Sequence, residues 1–109
     1  MENIKMYTEG TKLETLNIDG IECYELDGVA YLKLEAVAFG LGFIQEKNGS
    51  TYVRWETVNK YLGEIGFSQK VGKDGFIPEN IFYRLAMKAK NKVAEDFQKK
   101  IADRVYGNL

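Results

Sequence analysis

No histidine occurs in the 109 residues, and cysteine occurs only once, at Cys23. These two shortages remove most side-chain chemistry. Zinc fingers, zinc hydrolases, Ser-His-Asp triads and Cys-His dyads all need residues that the chain does not have. A lone cysteine cannot close an internal disulfide, so the chain reads as cytoplasmic. No apolar run approaches the roughly 18 to 20 residues that span a bilayer. The start, MENIKMYTEG, lacks the basic and apolar regions of a signal peptide. One proline among eleven glycines implies many turns and no proline-rich linker. The sequon Asn48-Gly49-Ser50 is then a turn rather than a glycan site.

Two glycine stretches imitate phosphate loops, and both fail. Gly40-Leu41-Gly42 runs on into Phe43-Ile44-Gln45, so the third glycine of a dinucleotide fingerprint is missing. GFSQKVGKD puts five residues between Gly66 and Gly72, where a Walker A loop has four. Asp74 stands where that loop needs a magnesium-binding hydroxyl, and its carboxylate would repel phosphate. No nucleophile stands with a base. The sequence therefore predicts no enzyme, no metal and no cofactor.

What is present suits one folded domain. Charged residues make up 28%, an ordinary share that argues against disorder. The formal net charge is −1, but its distribution is uneven. Residues 1–46 hold three basic and nine acidic side chains, and residues 47–109 hold twelve basic and seven acidic ones. A basic half this distinct can track a phosphate backbone. It can equally be the soluble face of lysine-rich helices.

Two Asp-Gly pairs organise the N-terminal half. TLNI, IECYEL and VAYL read as three strands joined by two-residue hairpins at Asp19-Gly20 and Asp27-Gly28. Leu34, Val37, Ala38 and Leu41 form the apolar stripe of a short helix. Gly42 suits its left-handed end, with Phe43 packing back. Gln45 to Thr51 is polar and reads as a loop, either capping the next helix or extended through Tyr52-Val53. WETVNKYL reads as a second helix, ending within Gly63 to Gly66. FSQKV and FI, joined through Gly72-Lys73-Asp74-Gly75, read as a second hairpin. Pro78 suits the first position of a third helix, whose apolar face is Ile81, Phe82, Leu85, Ala86 and Ala89. Asn91 can cap a fourth, with Val93, Ala94, Phe97, Ile101 and Val105 inward and Gly107 ending it. The expected core includes Leu34, Val37, Trp55, Leu62, Ile81, Phe82, Leu85, Phe97 and Ile101. The fold class is α+β: an antiparallel β-meander, two short helices, a hairpin and two C-terminal helices. Residues 1–12 are expected as a poorly ordered arm, and 13–109 as one domain.

With these elements in place, the chain resembles the Bro-N domain, the N-terminal domain of phage antirepressors and baculovirus repeated-ORF proteins. Three stretches carry the likeness: DGVAYLKLEAVAFGLGF, VRWETVNKYL and GFIPENIFYRLAMKAKNKVAEDFQKKIADRV. The last is similar to the family's paired C-terminal helices at Tyr83, Arg84, Leu85, Phe97 and Gln98. The likeness runs from about residue 17 to 106. It departs at Glu35, where the family usually has the shorter Asp. Family members also usually continue past the fourth helix with a basic tail and a second domain. This chain reads as a cut-out N-terminal domain or a short stand-alone version. The resemblance implies a phage or prophage transcription regulator acting in the bacterial cytoplasm, with this domain binding DNA.

The residues themselves are compatible with that role. Lys47, Asn48, Ser50 and Thr51 lead into Arg54 and offer phosphate-binding groups at a helix entrance. Lys70 and Lys73 lie on or beside a hairpin tip, as a wing would. Lys88, Lys90 and Lys92 cluster between the last two helices. No helix carries a polar Arg/Asn/Gln face for reading bases, so phosphate contacts are expected to dominate. Each lysine also has the plainer reading of a solvated surface charge, Arg84 that of a structural ion pair, and Trp55 that of a core residue. The competing class is a protein-binding module, in which the acidic half meets a phage repressor or another host or phage protein. The expected partner is thus double-stranded DNA, or on the competing reading a phage repressor, with no membrane; a homo-oligomer is compatible with either.

Overall fold

The structure is a computed structural model that describes residues 15–67, 72 and 74–108. The proposed N-terminal arm lies outside the described residues, as do Lys70, Lys73 and all but Phe67 of the stretch FSQKV, so the expected second hairpin falls there too. The fold is α+β. Strands β1 (Leu16–Ile18), β2 (Ile21–Leu26) and β3 (Val29–Lys33) form the expected antiparallel meander. Both turns use the left-handed backbone that Asp-Gly tolerates: φ is 53° at Asp19 and Asp27, and 84° and 80° at Gly20 and Gly28.

Helix α1 (Leu34–Leu41) follows β3 without a break. Its four stripe residues are all buried. No side chain caps its start; instead the Leu34 N–H donates to the Gly75 carbonyl at 2.9 Å. Gly42 ends it at φ 86°, and the Gly42 and Phe43 N–H groups donate to Phe39 and Ala38. That pair of bonds is the expected left-handed helix ending.

The order of elements then differs from the reading of the sequence. Gln45 to Thr51 is no loop: β4 (Ile44–Lys47) and β5 (Ser50–Val53) form a hairpin between the first two helices. Its two-residue turn is Asn48-Gly49, at φ 52° and 80°, the same chemistry as the two Asp-Gly turns. Helix α2 (Trp55–Glu64) follows. Strand β6 (Phe76–Pro78) pairs antiparallel with β3, with Leu32 opposite Ile77, and completes a sheet of order β1-β2-β3-β6. Pro78 is the residue before α3 (Glu79–Ala86), one position earlier than expected. Asn91 caps α4 (Lys92–Lys100) as anticipated, its side chain accepting from the Ala94 N–H at 2.8 Å. A wider π-turn over Ile101–Val105 and a 3-10 turn over Tyr106–Asn108 carry the chain on past α4, so Gly107 is not a simple stop.

One face of the four-stranded sheet, through Ile21, Cys23, Ala30, Leu32 and Ile77, is buried in the core. Helices α1 and α3 pack on the sheet, and α4 packs on both. Phe82 is the largest fully buried side chain, with ring contacts to Tyr83, Phe97 and Tyr106. Trp55 and Phe97 are only partly buried against this core. Val93 is 66% exposed, against expectation. It shares the helical period of Phe97, but in the first turn of α4 it is the neighbouring Ala94, 100° further round the helix, that faces the core. The other sheet face carries Tyr24 stacked on Tyr31, with centroids 4.9 Å apart, and Phe76 tilted against Tyr24. Among the described residues no helix is long and apolar enough to cross a membrane.

Candidate nucleic-acid interface

The β4–β5 hairpin is the most distinctive surface feature. Its register sets Gln45 opposite Tyr52 and Lys47 opposite Ser50. Paired residues share a face and faces alternate along a strand. Gln45, Lys47, Ser50 and Tyr52 therefore line one side of the ribbon, and Ile44, Glu46, Thr51 and Val53 the other. Val53 is buried and anchors the base, while every residue from Gln45 to Tyr52 is exposed. The Arg54 N–H donates to the Phe43 carbonyl at 2.9 Å and ties the two ends of the hairpin together. Arg54 is exposed and immediately precedes α2, without capping it through its side chain.

Between this ribbon and α1 lies an open concavity of about 680 Å³. Glu35, Gln45, Lys47, Asn48 and Thr51 contribute its polar lining, with one carboxylate against one ammonium, and Phe39, Tyr52 and Trp55 its aromatic lining. Phe39 is 41% exposed and Tyr52 50%. Single exposed apolar residues are ordinary, but three aromatic side chains around one depression are not. Gln45, Phe39 and Tyr52 were not singled out from the sequence. The available signal was Asn48-Gly49, which marks a hairpin and so an alternating face.

The structure brings Lys47, Asn48, Ser50, Thr51 and Arg54 together on this hairpin and at its foot. The second basic group lies elsewhere. Lys88 donates to Glu64 at 2.8 Å, and its ammonium lies 5.6 Å from the Tyr61 ring centre. The hydrogen bond from Lys88 holds the Glu64 carboxyl below its usual range. Glu64 ends α2 and Arg54 precedes it, so the two groups stand at opposite ends of a helix about 15 Å long. Lys92 pairs with Asp96 at 3.1 Å, which raises the Lys92 ammonium above its usual value. Two of the three lysines between the last helices are therefore already engaged by carboxylates. Lys90 and Arg84 are exposed, and neither makes an ion pair among the described residues. Arg84 is thus not the structural ion pair considered from its position.

The acidic half is also partly neutralised. Lys33 donates to Glu22 at 3.2 Å, a contact that raises the Lys33 ammonium. Arg104 reaches Asp19 at 3.0 Å. Cys23 is buried, and burial pushes its thiol above the usual range, as for an inert packed side chain. Among the described residues no three His, Cys, Asp or Glu side chains converge as metal ligands do. No family model, curated protein or solved structure matches the chain.

Proposed function

We propose that the protein binds double-stranded DNA, with the β4–β5 ribbon as the element that enters the groove. One observation carries this reading: a projecting two-stranded ribbon with four hydrogen-bonding side chains on one face and an exposed arginine at its foot. A B-form major groove admits such a ribbon, and amide, lysine and hydroxyl groups are the ones that address base edges and phosphates. In this reading Lys47 and Arg54 contact phosphates, and Gln45, Asn48 and Ser50 face bases or sugar. Lys88 and Lys92 drop out, since their carboxylate partners compete with phosphate. The likeness to phage antirepressors supports a role in prophage or phage gene control, in the cytoplasm of a bacterial host and without catalysis.

The test is anisotropy of a labelled random duplex at two salt concentrations. Binding should weaken with salt and fall further in a Lys47→Ala, Arg54→Ala double variant. Binding that this variant leaves untouched would remove the ribbon from the interface. A second reading is favoured by the exposed Phe39 and Tyr52 rings: a protein-binding surface for a phage repressor. Tight repressor binding, lost on Phe39→Ala with Tyr52→Ala and indifferent to the Lys47, Arg54 variant, would decide for it.

A further inference from the structure

We propose that the concavity between the ribbon and α1 holds one unpaired nucleobase, so that the protein prefers DNA in which a base stands outside the duplex stack. This rests on the DNA reading and names what that same surface selects.

The lining comes from three separate elements. Glu35 and Phe39 stand four residues apart on α1 and so share one side of it. Gln45 and Tyr52 are cross-strand partners on the ribbon, and Lys47 lies on the same ribbon face. Trp55, the first residue of α2, completes the lining. Among the described residues Phe39, Tyr52 and Trp55 make no ring contact with each other or with another aromatic side chain. Three rings that border one hollow without touching leave their faces to another flat group. At about 680 Å³ the hollow has the size of a small-ligand site.

The polar groups restrict what that flat group is. Among the described residues the side chains of Glu35, Gln45, Lys47, Asn48 and Thr51 make no hydrogen bond or ion pair. The Lys33 ammonium, which also feels Glu35, is held by Glu22 and leaves the Glu35 carboxylate free to accept. One carboxylate balances one ammonium, so a phosphate in the hollow would meet Glu35 and a quaternary ammonium would meet Lys47. A proline-rich segment would suit the rings, but a prolyl residue has no N–H to give to Glu35. A nucleobase is flat and uncharged, and its edges carry N–H donors beside acceptors. The rings take its faces, as sequence-tolerant stacking platforms do. Glu35 and the amides of Gln45 and Asn48 take its edge, and Arg54 stays with the phosphates alongside. In a duplex both faces of a base are covered by its neighbours, so only a base out of the stack can enter.

Three duplexes of one sequence test this: fully matched, with one extra unpaired base, and with an abasic residue in place of that base. Trp55 is the only tryptophan, so its fluorescence reports on the hollow directly. The duplex with the unpaired base should bind about tenfold or more tighter than the other two, the scale of one base stacked on aromatic side chains. It alone should quench Trp55. Phe39→Leu with Tyr52→Leu keeps apolar bulk at two exposed positions and removes the stacking faces, and should bring the affinity ratio close to one. Equal affinity for the three duplexes, with Lys47 and Arg54 still required, overturns the proposal, leaves the DNA reading standing and returns Phe39 and Tyr52 to the repressor reading. A preference that survives the leucine variant, or equal quenching by the abasic duplex, overturns it as well. Binding of the unpaired base that is lost in the leucine variant but indifferent to Lys47→Ala with Arg54→Ala would keep the hollow and remove the ribbon from the groove.

Discussion

Gly40 of α1 faces the ring of Phe97 on α4 so closely that a Cβ at position 40 would overlap the ring. The glycine is there for space, since its φ lies outside the left-handed region that the turn glycines use. It sets how near α4 can come to α1. Gly40→Ala should destabilise the fold by about 1 to 3 kcal/mol, the range for overpacking a fitted contact. Because the clash is with one side chain, Phe97→Ala should relieve it. Urea melts of the two single variants and the double should give a double-variant loss well below the sum. Additive losses would mean that the two helices do not meet at this pair.

Phe97 is partly buried whereas Phe82 is fully buried. Phe82→Ala should therefore cost about 3 to 5 kcal/mol, the usual range for an emptied aromatic core site, and Phe97→Ala less. The reverse ranking in denaturant melts would shift the centre of the core toward α4.

The Asn91 side chain satisfies the Ala94 N–H at 2.8 Å in the first turn of α4. Asn91→Ala should cost about 1 kcal/mol, and Asn91→Asp should be close to neutral, because it keeps an acceptor at a position where negative charge is favourable. Equal losses in thermal melts would show that the cap is not the contribution of that residue.

The Lys88–Glu64 pair gives a pH dependence with a definite sign. The Glu64 carboxyl is lowered in the folded chain by the Lys88 hydrogen bond. A lowered carboxyl contributes stability that is fully present above its unfolded value, about 4.3, and is lost as pH falls through the folded value. Glu64→Gln should thus be the less stable protein near neutral pH, and the difference should close in acid. A gap that persists unchanged well below pH 4 would point to packing rather than charge.

How far these features could be read from the sequence follows from where their causes lie. Asp19-Gly20 and Asp27-Gly28 announced two turns because their flanking strands alternate against a core. Asn48-Gly49 has the same turn chemistry, but Gln45, Glu46, Lys47, Ser50 and Thr51 are polar on both faces of a ribbon that projects from the body. No burial pattern marks it, so the dipeptide was the whole signal. The pairing of β6 with β3 joins residues more than 40 positions apart, and nothing local in FIP specifies that partner. The Lys92–Asp96 pair has the i, i+4 spacing that a charge pattern reveals. Lys88–Glu64 spans 24 residues and became visible only once α2 and α3 were packed. The basic cluster between the last helices was therefore legible as composition and not as free charge.

The division between free and engaged cations gives the final prediction. Each phosphate neutralised contributes about −0.9 to the slope of log affinity against log salt. Lys47 and Arg54 are exposed and no carboxylate pairs with either among the described residues. Replacing both by alanine should make the slope shallower by about two units for each bound chain. Lys88 must first leave Glu64, and Lys92 must leave Asp96, before either can meet a phosphate, so their contact energy is largely offset. Lys88→Ala with Lys92→Ala should therefore change the slope by less than about one unit. Arg54→Ala alone is the sharper probe, because an arginine at the foot of the ribbon can reach a base edge as well as a phosphate. A loss on Arg54→Ala that varies with duplex sequence would place it against a base, and a uniform loss against the backbone. If the Lys88, Lys92 pair instead flattens the slope more than Lys47 and Arg54 do, the DNA lies along the last two helices and the ribbon is not its reader.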